Sequence, residues 1–147
     1  PGSLPTPTTD TKITTLTSKQ DIPDLTKTIA LQYIKDNYNT DIQIYTDGSK
    51  EPTSGKTAFA IHIQNPIRRT FKSRLMDHHS VYTSELIAIN KALQATLALN
   101  KPTATIFTDS LSSIQAIQQQ NMAHNQIILT EIFQHNKQII DKGNKVT

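Results

Sequence analysis

The chain predicts an α/β domain on a mixed sheet, three antiparallel strands and a parallel one flanked by helices, and two observations lead there. First, two short runs alternate apolar and polar residues and end on threonine followed by aspartate, Ile42-Gln-Ile-Tyr-Thr-Asp47 and Ala104-Thr-Ile-Phe-Thr-Asp109. Second, the segments between and after them repeat apolar residues at three-to-four spacing, as helices covering a sheet do. Two like-directed strands ending in Asp, as neighbours, bring both carboxylates to one sheet edge, where open α/β sheets keep their sites.

At 147 residues, the chain has the length of one domain, enough to bury most of its unfolded surface. It contains no cysteine, which excludes disulfides and thiolate metal sites and fits an intracellular protein. No apolar run approaches the ~18 to 20 residues of a membrane span, so no membrane partner is expected. A formal charge of +3 leans weakly toward polyanionic partners.

Residues 1–22, rich in Thr, Pro and Ser, read as a flexible leader, because so few apolar residues cannot offset chain entropy. Residues 23–40 read as a short helix and connection: Pro23 or Asp24 can start it, and Leu25, Ile29, Tyr33 and Ile34 share one side. The domain proper spans 41–147. Its opening strand runs to Asp47, where Gly48 ends the alternation and lets another backbone come close. Asp-Gly is equally a hairpin signal, so this stretch alone leaves turn and site both open.

Glu51 to Gly55 has the composition of a hairpin connection, and Lys56 to Ile63 follows as a strand apolar enough to be buried on both faces. After a turn at Asn65-Pro66, Ile67 to Leu75 forms a third strand, with Arg68, Thr70, Lys72 and Arg74 on one face and Phe71 and Leu75 on the other. That cationic face either follows a phosphate backbone or is a solvated edge that resists aggregation.

Ser80 to Asn100 is the strongest helix, with Leu86, Ile89, Leu93 and Leu97 beside Ala88, Ala92 and Ala95. Glu85 falls in its first turn, where a glutamate is often a dipole partner or half of a cap. Yet Ala88, Ile89 and Ala92 follow at three, four and seven residues, so Glu85 also lies on the stripe facing the sheet. A carboxylate there needs a partner, and a divalent cation is one. Beyond the second acidic strand, Ser110 can cap a short helix carrying Leu111, Ile114 and Ile117. A helix from about Asn125 to Lys142 ends at Gly143, and Lys145 to Thr147 begins a further strand.

Three motifs in this order, Tyr45-Thr-Asp-Gly-Ser-Lys50, Tyr82-Thr-Ser-Glu-Leu-Ile-Ala-Ile89 and Ile106-Phe-Thr-Asp-Ser110, resemble a type I ribonuclease H domain of the kind fused to reverse transcriptases in retroelements, including the non-LTR kind. Separations of 38 residues from Asp47 to Glu85 and 24 from Glu85 to Asp109 suit that family. The resemblance covers residues 41 to the C-terminus. It implies a ribonuclease H-like fold and hydrolysis of the RNA strand of an RNA–DNA hybrid, with little sequence preference and with a reverse transcriptase in cis.

The chemistry so implied uses two divalent cations ~3.5 to 4 Å apart, which activate water and stabilise the leaving alkoxide. Oxygen-only ligation fits Mg2+, with Mn2+ as substitute. Asp47, Glu85 and Asp109 would be the catalytic acids and, with the Gly48 carbonyl, the metal ligands. Gly48, Ser49, Ser80, Tyr82, Thr83 and Ser110 would contact substrate, recognised through 2′-hydroxyls and minor-groove shape.

The chain departs from the family pattern after Thr147, where a loop with histidine and a helix with a fourth acid are expected, so the fold reads as C-terminally truncated. His62, His78, His79, His124 and His135 read as ordinary polar residues. Weak or absent catalysis, leaving a nucleic-acid-binding domain, is the alternative. An integrase-like enzyme would place its glutamate after both aspartates, which argues against it, as the retention of three acids argues against a purely structural connection domain.

Overall fold

The computed structural model describes residues 5, 7–11, 29, 32–51, 54–75, 80–119 and 126–147. The expected helix start at Pro23 or Asp24, and His78, His79 and His124, lie outside them. In chain order the elements are β1 (Ile42–Lys50), β2 (Thr57–Asn65), β3 (Arg69–Arg74), α1 (Val81–Leu99), β4 (Thr103–Phe107), α2 (Leu111–Gln119), α3 (Gln126–Asp141) and β5 (Lys145–Val146). They form one five-stranded sheet in the order β3-β2-β1-β4-β5, antiparallel among the first three and parallel from β1 through β4 to β5. The parallel step from β1 to β4 requires a long crossover, which α1 supplies.

Alternation decides which face is covered. Ile42, Ile44 and Thr46 of β1 and Thr57, Phe59, Ile61 and Ile63 of β2 are buried under the helices. Intervening residues such as Gln43, Tyr45, Ala58, Ala60 and His62 are half-buried on the other face. β2 is therefore not buried on both faces, as its composition suggested: helices α1 to α3 stack on one side only, and α1 packs on β1 and β2 while α3 packs on α1. The core joins the sheet isoleucines to Leu86, Ile89 and Leu93 of α1 and Leu129, Ile132 and Phe133 of α3.

Both long helices have defined ends. The Ser80 hydroxyl accepts from the Thr83 N–H at 3.1 Å, capping α1, and Asn100 closes it in the left-handed conformation at φ 50°. Gly143, at φ 79°, turns the chain out of α3. In α2 the buried residues are Ser113, Ala116 and Ile117, whereas Leu111, expected on the packed stripe, is 42% exposed.

The uncovered face is partly screened near β4. Residues 32–37 are helical, Tyr38 meets Phe107 edge-on at 6.4 Å, and the Tyr33 hydroxyl donates to Asp10 at 2.6 Å. Thr9 accepts from the Gln118 side chain. No helix among the described residues is long and apolar enough to cross a membrane.

Candidate metal centre

Asp47 owes its position to a mismatch in strand length. The parallel ladder between β1 and β4 stops at Tyr45 opposite Phe107, while the antiparallel ladder with β2 carries β1 on to Lys50, pairing Asp47 with Ala60 and Gly48 with Phe59. Asp47 is thus not the last residue of its strand, as its alternation suggested, but the first exposed residue after β1 loses β4. Asp109 lies two residues beyond β4, in the turn into α2. Side chains hold that turn: Thr46 Oγ1 donates to the Phe107 carbonyl at 3.0 Å, Thr108 Oγ1 accepts from the Ser110 N–H, and Ser110 Oγ accepts from the Ser113 N–H.

Glu85 arrives from the opposite side. With α1 starting at Val81, it falls in the second turn rather than the first, and α1 has no acidic residue in its first turn. This removes the dipole and capping readings, because those effects fade beyond the first turn. Only 6% of the residue is exposed. One oxygen, Oε1, accepts from the Gly48 N–H at 3.1 Å, whereas Oε2 is buried without a hydrogen-bond partner. Gly48 is what allows the approach: a Cβ there would sit 2.5 Å from Ser84 Oγ and 2.9 Å from the Glu85 amide nitrogen.

Ligand oxygens of Asp47, Glu85 and Asp109 all lie within 4.8 Å of one another. Burial first, then the neighbouring Asp109 and Asp47, push the Glu85 carboxyl up to about 7 against the opposing effect of the Gly48 N–H. An orphaned buried carboxylate oxygen, two further carboxylates in reach and no sulfur or imidazole among them are the donor set of a hard divalent cation. The residues present fit such an ion.

The other residues expected at the site flank it. Ser49 follows Gly48 on β1 and is exposed; Tyr82 is half-buried at the start of α1. Ser80 and Thr83 bond one another through their hydroxyls at 3.0 Å, and Ser80 and Ser110 both serve as caps. A cavity of about 640 Å³ runs beside the aspartates, with Tyr38, Tyr45 and Phe107 in its wall; Tyr45 and Phe107 stack at 4.6 Å. Of the described histidines, His62 bonds Thr70 Oγ1, and His135 bonds Asn90, which also donates to Glu131 between α1 and α3; neither joins the acidic cluster.

Two contributors escaped the sequence reading. Ser84, fully buried with its hydroxyl donating to the Val81 carbonyl at 2.7 Å, is the small side chain against which Gly48 packs. Thr46 ties the two acid-bearing strands together. The available signals were a small residue directly before Glu85 and a threonine directly before each aspartate.

The RNase H family model matches residues 39–146. The chain belongs to the ribonuclease H family. All three carboxylates lie inside the matched span, and membership makes the domain a ribonuclease H, an enzyme of the nuclease class. Among solved structures, ribonuclease H1 from the halophilic archaeon Halobacterium salinarum NRC-1 is similar, at 13% identity and a TM-score of 0.51 over 71% of this chain and 80% of that one. At that identity the likeness shows a shared fold. No curated protein matches the chain.

Proposed function

We propose that this ribonuclease H domain is an endonuclease that hydrolyses the RNA strand of RNA–DNA hybrids with two divalent cations, Mg2+ in the cell and Mn2+ as substitute. The observation that carries this reading is the convergence of Asp47, Glu85 and Asp109, with Oε2 of Glu85 buried and unpartnered. In this reading the three carboxylates and the Gly48 carbonyl hold the cations. Bound there, the cations supply a water that is nucleophilic at neutral pH and a counter-charge for the leaving alkoxide.

The chain's own groups do the positioning. Gly48 anchors one oxygen of Glu85, while the other is buried without a hydrogen-bond partner. Asp47 and Asp109, both exposed, face the solvent from which substrate arrives. Gly48, Ser49, Ser80, Tyr82, Thr83 and Ser110 offer backbone and hydroxyl groups to ribose and phosphate, the groups that distinguish an RNA strand. The products are a 5′-phosphate and a 3′-hydroxyl. The reading extends to a retroelement polyprotein with reverse transcriptase in cis and an intracellular place of work, supported by the three-motif resemblance and the absence of cysteine.

The test is incubation with an end-labelled hybrid in Mg2+ or Mn2+. Cleavage by the chain and its loss in Asp47→Asn support the reading; cleavage that survives the substitution removes it. A second reading is a domain that binds hybrid without cutting it. It predicts binding indifferent to Mg2+ and no product.

A further inference from the structure

The uncovered face of β1, β2 and β3 has a side-chain plan that the metal centre does not use. Residues directly opposite across an antiparallel ladder share a face. The register pairs Asp47 with Ala60 and Ala60 with Lys72; Ser49 with Ala58 and Ala58 with Arg74; Tyr45 with His62 and His62 with Thr70. The contact of His62 Nδ1 with Thr70 Oγ1 at 3.0 Å agrees with this. Arg69 and Phe71 belong to the opposite face, where the guanidinium lies 5.4 Å from the ring centre.

Lys72 and Arg74 therefore stand on the same face as Asp47 and Ser49, two strands away. Between them the floor carries only the methyl groups of Ala58 and Ala60. Every residue of β3 is exposed. The ion pair among the described residues is Lys137 with Asp141, on α3, so neither Lys72 nor Arg74 is neutralised there by a carboxylate. Edge lysines that only discourage aggregation need no particular register. Here both cations fall in line with site residues, across the two smallest side chains of β2.

We propose that Lys72 and Arg74 form a phosphate-binding rail for the substrate, holding the nucleic-acid backbone beside the metal centre across the shallow alanine floor of β2. This rests on the hybrid-cleaving reading of the same site. Two strand spacings put the rail about 9 to 10 Å from β1. At a rise of ~3.4 Å per nucleotide, a strand crossing the floor brings a phosphate about two to three nucleotides from the cleaved one over the cations. The rail reads charge and not sequence. Its cations position substrate and take no part in bond cleavage.

The test compares three full-length variants with wild type: Lys72→Gln/Arg74→Gln, the charge-matched control Arg69→Gln/Lys91→Gln, which removes one cation from the opposite face of β3 and one from α1, and Ala58→Leu, which raises the floor without removing charge. Hybrid binding is followed by fluorescence anisotropy from 50 to 200 mM salt, and steady-state cleavage is followed in Mg2+. Each lost phosphate contact lowers the slope of log affinity against log salt by about 0.9, so the rail variant loses nearly 2 units of slope. Its KM rises about tenfold or more with kcat within twofold. The control changes KM less than threefold, Ala58→Leu raises KM with the slope unchanged, and Lys72→Arg/Arg74→Lys restores both readouts.

Equal effects in the rail variant and the control overturn the rail, as does an unchanged slope in the rail variant. If wild type cuts the hybrid and the rail variant behaves like it, only the rail fails. If wild type neither binds nor cuts the hybrid, the functional reading and the rail fail together.

Discussion

The Gly48 N–H donates to Glu85 Oε1 at 3.1 Å, and the same glycine leaves no room for a side chain between β1 and the second turn of α1. One residue thus fixes a buried carboxylate electrostatically and sterically. The remaining oxygen of Glu85 is buried without a hydrogen-bond partner.

Gly48→Ala tests this packing. Its methyl group would meet Ser84 Oγ at 2.5 Å, the Glu85 nitrogen at 2.9 Å and Glu85 Cδ at 3.0 Å, and two of those atoms belong to Glu85, one of them backbone. Separation of β1 from α1 should cost about 1 to 3 kcal/mol in urea unfolding and depress metal-dependent cleavage. Adding Ser84→Gly should recover part of the stability and little of the cleavage, because the contact with Glu85 remains.

Without metal, stability should fall as pH rises. The folded protein holds a proton on Glu85 up to about pH 7, well above the ordinary glutamate value of 4.5, so between those values the folded state binds more protons than the unfolded one. Its contribution is fully present below 4.5 and lost as pH rises through 7. Urea midpoints in EDTA should decline from pH 5 to 8 by an amount worth on the order of 1 to 2 kcal/mol, and Glu85→Gln should flatten that decline.

Adding Mg2+ at pH 8 should reverse the loss. A ligand that binds only the folded state at a hundred times its Kd adds about 2.7 kcal/mol. Asp109→Asn should abolish this gain while leaving the EDTA-treated protein as stable as wild type or more so, because close carboxylates repel one another when no cation is present. A Tm measured with and without Mg2+ separates the two effects.

Thr46→Val removes the hydroxyl that donates to the Phe107 carbonyl at 3.0 Å while keeping the side chain's shape. The expected cost is about 1 kcal/mol. Cleavage should fall further than that stability loss explains, because the bond lies where β1 and β4 part and holds the turn bearing Asp109 to the strand bearing Asp47. A structural role alone predicts unchanged kcat at a temperature well below Tm.

The sheet and its acidic edge were legible in the amino-acid order because Ile42, Ile44 and the Thr-Asp endings alternate without interruption, and because α1 keeps its apolar stripe over five turns. Strand ends were not legible. The run of β1 past Gly48 depends on pairing with β2, a long-range contact that no local pattern announces. Glu85 was placed a turn too early because the start of α1 depends on the Ser80 cap. For β2, small and apolar residues suggested burial on both faces, but only topology decides that the helices stack on one. The cationic side of β3 was visible at once. Its alignment with Asp47 emerges only when two ladders are read together.

The most direct test of the central claim, that Asp47, Glu85 and Asp109 make one cation site, is a Mn2+ titration followed by electron paramagnetic resonance at pH 8 on wild type, Asp47→Asn, Glu85→Gln and Asp109→Asn. Saturable binding by wild type, weakened more than ~100-fold in each variant, is the predicted result. Binding of equal strength in wild type and any one of the three variants contradicts a shared centre.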